Sequence, residues 1–422
     1  MDDNFIDPKI IDLDKPRICT TSQSTYNLFC CLHCGQYYSY TSESSPAFLH
    51  AMSYDHQYFL NLTTGQAKSI LSNKLITSPL LSHLKHYISF TYTKKYLQSI
   101  DSGDLSTLST LLPSSSCSKQ NVVKFATLDG SRYIPGVLPL TSSSSSSLFN
   151  QLVFLFNHLA PLRNHSLLLT HSNSNLLPTR FSEVCRDFWS PYLVHDYVNV
   201  DSLFRLFCQK SHISAAKFSK IRDVQSVTSI FLDLLKETNI LSFRKSLNCL
   251  RGQYTKTRVA DCTTESINFD CLTLNLPTLP LFKDVHKENQ IPKISIFELL
   301  HNFDGSNVTV EDDTRITKIF TQLPPWLLLC FDRFKEGVLG IEKNLTIVDC
   351  PLTSLDLSSF VLSGSNHLYR AVVVVSHTLE NFVSFVNIQN IWFCVDKSTV
   401  NQVSEDQVLA SDCVLMLYKK TM

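Results

Sequence analysis

A chain of 422 residues, 44% hydrophobic and 18% charged, is long enough for two or three domains and too apolar for a disordered polymer. Its 37 Lys plus Arg balance 37 Asp plus Glu, which excludes a global basic field for nucleic acid; one stretch with Lys210, Lys217, Lys220 and Arg222 is mildly basic and reads as a solvated helix face. No apolar run is long enough to span a bilayer, the acidic start MDDNFIDPKIID lacks a secretory core, and fourteen cysteines are too thinly spread for a disulfide scaffold. A reducing compartment and no membrane association are therefore expected.

In chain order, residues 1–16 read as an irregular acidic tail and 17–80 as a compact unit rich in Cys and His. Residues 81–130 read as a linker that opens with the helix-compatible LLSHLKHYISFTYTKKYLQSI and continues with the polar DSGDLSTLSTLLPSSSCSKQN. Residues 131–422 read as one larger domain. Near its start six serines, Ser142 to Ser147, precede Leu148, Phe149, Leu152, Leu155, Phe156 and Leu159, whose spacing predicts a helix with a serine N-cap. Further helices are expected in VDSLFRLFCQKS, SVTSIFLDLLKE and KISIFELLHNF. Strands are expected in WLLLCFDRF, LYRAVVVVSH, NFVSFVNI, IWFCVD and CVLMLYKK, where apolar alternation and β-branching dominate. Helices first and strands later predict an α+β class.

Cys31 and Cys34 form a Cys-x2-Cys knuckle, and His50 and His56 follow within 26 residues. Two thiolates and two imidazoles complete a tetrahedral zinc shell with no open position, so the expected ion is a single structural zinc. A module this small has a weak core and gains stability from such a staple. Cys19, Cys30 and His33 lie nearby as spare candidates; buried thiols are expected at Cys19 and Cys30.

The segment CLHCGQYY…HAMSYDHQYFLNL resembles the zinc-finger domain that precedes many ubiquitin-specific proteases. YIPGVLPL…LFNQLVFLFNHLAPLRN, QLPPWLLLCFDRF and LYRAVVVVSH…NFVSFVNI…WFCVD resemble, in order, the boxes of that papain-like protease fold. LNLPTLPLFKD, IPKISIFELLHNFDG and IEKNLTIVDCPLTSLDL narrow the resemblance to the protease-like splicing factors of the U4/U6.U5 tri-snRNP. The resemblance implies a nuclear, non-catalytic protein that stabilises that particle before spliceosome activation. Its implied partners are U5 proteins: the large scaffold protein and the helicase that unwinds U4 from U6.

Carried onto this chain, the resemblance puts the nucleophile position at Ser147, the oxyanion donor at Ser145, the base position at Asn381 and the acidic position at Asp396. A hydroxyl then stands where a thiol belongs, and an amide that takes no proton at neutral pH stands where the base belongs. Asp396 without its histidine reads as a turn carboxylate. His377 is the alternative base, but its place in a strand run directs it elsewhere. The serine run is expected to be a tolerant loop. Cys249, Cys262 and Cys271 are too widely spaced for a second zinc, and GQYYSYTSESS has no Arg to grip a ubiquitin tail, which puts ubiquitin binding in doubt. The competing expectation is a ubiquitin reader, or a weak deubiquitinase or serine hydrolase using Ser147.

Overall fold

In the computed structural model the described residues are all but 1–5, 8, 14–16, 103–115, 118–122, 144–146, 170–175, 219, 238–240, 278–291, 312–313, 338–339, 362–366, 380 and 422. The chain divides into two compact units. One holds residues 1–138 and 187–199, the other 139–186 and 200–422.

The first unit is built on a five-stranded sheet. β1 (Leu28–Cys31), β2 (Tyr37–Ser39), β3 (Tyr58–Asn61), β4 (Ala67–Ser69) and β5 (Leu75–Ile76) run antiparallel in the order β2-β1-β3-β4-β5. The two-residue period of β1 sorts its side chains. Phe29 and Cys31 join a core with Ala47 and Ala51 of α1 (Pro46–Tyr54), together with Tyr38, Phe59 and Ile70. Leu28 and Cys30 face a second core with Leu60, Leu62 and Leu81 and Leu84 of α2 (Pro79–Ser89). Ser78 caps α2 by accepting the Leu81 N–H at 3.2 Å, with Pro79 as the first helical residue.

Two expectations change here. The acidic start, expected as an irregular tail, packs at its described residues: Ile6, Ile11 and Leu13 are buried in the second core, and Asp12 offers its carbonyl to the Tyr37 hydroxyl at 2.8 Å. Three aliphatic side chains outweigh the acidic composition that suggested solvent. The segment expected to be a linker carries α2 and α3 (Lys94–Ser102), which hold residues 187–199. His83 meets the Leu193 carbonyl at 2.9 Å, and the Tyr96 hydroxyl donates to the Trp189 carbonyl at 2.7 Å. The helical period of 81–100 runs on without a visible stop, but the chain breaks it into two helices at Phe90 to Thr93.

The second unit opens with α4 (Ser147–Asn157), in which every residue from Leu148 to Asn157 is buried, the mark of a helix enclosed on all sides. α5 (Ala160–Leu168), α6 (Asp201–Ser211), α7 (Ala215–Phe218) and α8 (Val224–Lys236) follow. Phe149 of α4 meets Phe204, Phe207 and Phe231 at ring-centroid distances of 5.0, 5.1 and 5.9 Å, so aromatic packing joins α4, α6 and α8.

A four-stranded antiparallel sheet comes next: β6 (Gly252–Arg258), β7 (Thr264–Phe269), β9 (Thr309–Glu311) and β10 (Thr314–Gln322), ordered β7-β6-β10-β9. The main sheet contains β8 (Leu272–Asn275), β11 (Trp326–Asp332), β14 (Leu355–Asp356), β15 (Leu368–Thr378), β16 (Asn381–Ile388), β17 (Ile391–Val395), β18 (Val400–Val403) and β19 (Cys413–Lys420). Its order is β8-β11-β19-β15-β16-β17-β18, with β14 beside β15; β8 and β11 pair in parallel. A hairpin of β12 (Phe334–Gly337) and β13 (Gly340–Lys343) lies outside it. All five strand expectations fall on strands. The helix expected in KISIFELLHNF is shorter, because Lys293–Ser295 pairs as a strand with Ile347–Asp349 and only Ile296–Leu300 is α-helical.

Candidate functional site

The knuckle forms where β1 ends. Cys31 is its last residue, the Gly35 N–H donates to the Cys31 carbonyl at 2.9 Å, and the turn needs φ +65° at Gly35. A Cβ at Gly35 would also strike the Ile10 carbonyl. His50 comes from α1 and His56 from the segment between α1 and β3, after Asp55 ends the helix in the left-handed conformation.

One donor atom from each of Cys31, Cys34, His50 and His56 lies within 4.8 Å of every other. Cys34 Sγ is 3.5 Å from His50 Nε2, which is 3.0 Å from His56 Nδ1. A tetrahedron with zinc–sulfur and zinc–nitrogen bonds has edges of roughly 3.3–3.8 Å, so the donor set fits zinc in both chemistry and spacing. A hydrogen bond from Cys31 holds the Cys34 thiol down to about 4, and the same pairing and burial push Cys31 up. The rings are braced: Tyr38 stacks on His50 at 4.3 Å and His33 on His56 at 4.9 Å. His33 is thus a packing partner among the spare candidates, and Cys19 and Cys30 are buried.

The second candidate site lies where α4 meets β16. Ser147 opens the helix, and its Oγ accepts the Phe382 N–H at 3.0 Å. One turn on, Gln151 Oε1 accepts the Ser384 hydroxyl at 2.5 Å in a buried bond. Two bonds therefore fasten one stripe of α4 to alternate residues of β16. The position the resemblance gives to the nucleophile thus stands beside the one it gives to the base, since Asn381 precedes Phe382 and begins β16. No hydrogen bond among the described residues joins the Asn381 side chain to Ser147 or Asp396. Asp396 follows β17; its Oδ1 accepts the Lys397 N–H at 2.7 Å, and its own N–H donates to Thr399, which is a turn role. Ser145 lies outside the described residues.

His377 pairs with Phe382 across β15 and β16. It is only 4% exposed, its ring is wedged against Phe382 at 4.7 Å and Phe334 at 5.1 Å, and neither ring nitrogen has a hydrogen-bond partner among the described residues. Burial, with Lys343 and Arg222 adding positive field, pushes its pKa down to about 4. Lys343 bonds the His377 carbonyl and Asp412 Oδ2, each at 2.6 Å. This imidazole is neutral at pH 7, but it reaches no hydroxyl among the described residues.

Sequence reasoning missed Asp201. This first residue of α6 accepts from the Ser142 hydroxyl, from the Ser143 N–H at 3.1 Å and from the Ser143 hydroxyl at 2.9 Å. The serine run is thus gripped at its first two residues, where a tolerant loop was expected. Ser144 to Ser146 lie outside the described residues. An acidic residue 58 positions downstream gives no local signal of this clamp.

Residues 92–418 match the ubiquitin carboxyl-terminal hydrolase family, and residues 19–80 match the zinc finger found in ubiquitin hydrolases and other proteins. The chain belongs to the ubiquitin carboxyl-terminal hydrolase family. It is 26% identical over 400 residues to human ubiquitin carboxyl-terminal hydrolase 39, a match covering 84% of this chain and 66% of that protein. It thus spans just under two thirds of that relative's length. Probable mRNA-splicing protein ubp10 of Schizosaccharomyces pombe is 23% identical, with 99% of this chain and 87% of that protein covered. Pre-mRNA-splicing factor SAD1 of Saccharomyces cerevisiae is 26% identical, with 79% and 71% covered.

Among solved structures, an essential yeast splicing factor superposes with a TM-score of 0.75 at 22% identity, covering 99% of each chain. The SAGA Ubp8 deubiquitinating module bound to monoubiquitin gives 0.54 at 17% identity, covering 96% and 90%. Both likenesses speak to fold: a zinc-finger domain followed by a protease-like α+β domain.

Proposed function

We propose that this protein is a non-catalytic splicing factor of the nucleus, a scaffold that stabilises the U4/U6.U5 tri-snRNP before spliceosome activation. Its partners in this reading are U5 proteins: the large scaffold protein and the helicase that unwinds U4 from U6. The zinc module carries one structural ion per chain, and both units offer protein-binding surfaces. The relatives named as splicing proteins support the role in splicing.

The observation that carries the non-catalytic reading is the bond between Ser147 and the Phe382 N–H. The hydroxyl at the nucleophile position faces a backbone donor where catalysis needs a proton acceptor, and Asn381 supplies none. Tagged protein should co-purify U4, U5 and U6 RNAs and U5 proteins at moderate salt; their absence rejects the splicing assignment. Purified protein should leave a ubiquitin C-terminal fluorogenic substrate intact. Turnover that disappears in Ser147→Ala would replace this reading with a serine hydrolase.

A further inference from the structure

The helix of the zinc module, α1, has the sequence PAFLHAMSY, without Asp, Glu, Lys or Arg, and its apolar side chains do not all point inward. Leu49 is 55% exposed and Met52 64%, while Ala47, His50 and Ala51 are buried. At about 100° per residue, Leu49 and Met52 lie about 60° apart around the helix. Half-buried Phe48 lies about 40° beyond Met52, and exposed Ser53 about 40° beyond Leu49. Ala47, His50 and Ala51 fall on the opposite side, about 130° or more from the middle of that arc. Phe48, Leu49 and Met52 therefore form one apolar strip along the outside of the helix.

The charges around the strip have one sign. Between Arg17 and Lys68 the chain has no Lys or Arg, and its two acids there, Glu43 and Asp55, flank α1 on either side. Both are exposed, and neither has an ion-pair partner among the described residues. The Lys68 ammonium is taken up over the rings of Tyr40 and Phe29, 4.2 and 5.3 Å from their centroids. The last turn of α1 holds no basic residue, and Asp55 follows as its cap. That carboxylate adds to the negative end of the helix dipole, where a cation is the favoured neighbour.

These features select a partner. Phosphate backbones and anionic membrane surfaces call for cations that this stretch lacks. A second copy of the same face brings like charges together: Glu43 meets Asp55 in an antiparallel pairing, and Asp55 meets Asp55 in a parallel one. An apolar strip with an unneutralised negative end fits an amphipathic helix whose own apolar stripe seats on Leu49 and Met52 and whose Lys or Arg lies against Asp55. The flexible thioether of Met52 adapts to such a stripe. We propose that the exposed strip of α1 docks a basic amphipathic helix of a partner protein. This deepens the protein-contact part of the scaffold reading, on which it rests for its setting, by giving the surface and the chemistry of its partner.

The test is fluorescence anisotropy of the full-length purified protein with a fluorescein-labelled helical peptide of about 18 residues, carrying leucines at three- and four-residue spacing and lysines between them. Binding is expected with a dissociation constant below about 100 µM. Leu49→Ser/Met52→Ser should weaken it at least about tenfold, and Glu43→Gln/Asp55→Asn about three- to fivefold with loss of most of its salt dependence. Val308→Ser/Val310→Ser removes two exposed valines of the other unit and should cost less than about twofold. Circular dichroism and zinc content of every variant separate lost contacts from lost fold. Methyl NMR places the peptide: of the chain's 4 methionines, Met52 should shift on titration while buried Met416 stays in place. Absent binding at about 200 µM protein overturns the proposal. Equal binding of the same peptide with glutamates for lysines, equal losses in the two apolar pairs or an unmoved Met52 overturns it too. A Met52 signal that shifts with protein concentration alone makes the face a contact between copies and likewise overturns it. Because this assay contains no spliceosomal component, its failure leaves the co-purification test of the scaffold role standing.

Discussion

The Cys/His cluster and the α4–β16 junction are read from the same kind of sequence pattern and end in opposite states. Four ligands spread over 26 residues converge to within 4.8 Å. The three positions that the resemblance assigns to catalysis leave Ser147 on a backbone N–H, Asn381 bonded to neither of the others among the described residues and Asp396 in a turn. A structural metal site is complete once its donors meet. A catalytic site also needs the right proton inventory at each position, and one substitution removes it while the fold persists. Here the stripe of α4 that would present a nucleophile is used as a fastener between helix and sheet.

The comparison breaks most sharply at the metal. Cys31→Ser or His56→Ala should take bound zinc from about one ion per chain to nearly none and unfold the first unit's sheet. Structural zinc in small fingers contributes on the order of 10 kcal/mol. Elemental analysis with thermal denaturation checks it; full metal retention would reject the ligand set.

The α4–β16 junction should reveal itself next through acid. His377 titrates near 4 when folded and near 6.5 when unfolded, so the folded chain binds its proton less readily. Its contribution is therefore fully present above pH 6.5 and is lost as pH falls from 6.5 towards 4, by about 2–3 kcal/mol. Denaturant titrations of wild type and His377→Leu at pH 7.5 and 5 measure this. Equal pH dependence in the two proteins would remove His377 from the account.

Smaller effects sharpen the picture of the fasteners. Asp201→Ala should cost about 1–2 kcal/mol and speed hydrogen exchange at Ser143, whose N–H loses its acceptor. Ser147→Ala should cost about 1 kcal/mol or less, because it removes a single bond to Phe382. If Ser147→Ala proves more damaging than Asp201→Ala, the nucleophile position is under a demand beyond that one bond.

What could be read from the chain follows the range of the interactions. The convergence of Cys31, Cys34, His50 and His56 was legible because a short spacing carries them. Ser147 and Asn381 were legible only because a family resemblance lent them positions, since 234 residues separate them. The five core strands announced themselves by alternation and β-branching. The Asp201 clamp, the bare nitrogens of His377 and the docking of Ile6, Ile11 and Leu13 depend on partners far along the chain, and composition pointed the wrong way for the last. A strand at Lys293–Ser295 interrupted an apparently helical run because its partner, Ile347–Asp349, lies about 50 residues away.

Gly35 ties two of these stories together. Its missing side chain makes room for the Ile10 carbonyl directly above the metal knuckle. A zinc ion held there would clasp a stretch of chain that supplies it no ligand. Stripping the metal should make the stretch from Ile10 to Leu13 a protease's earliest target, before any cut within the sheet. A side chain larger than hydrogen at position 35 should release the same stretch with the metal still in place.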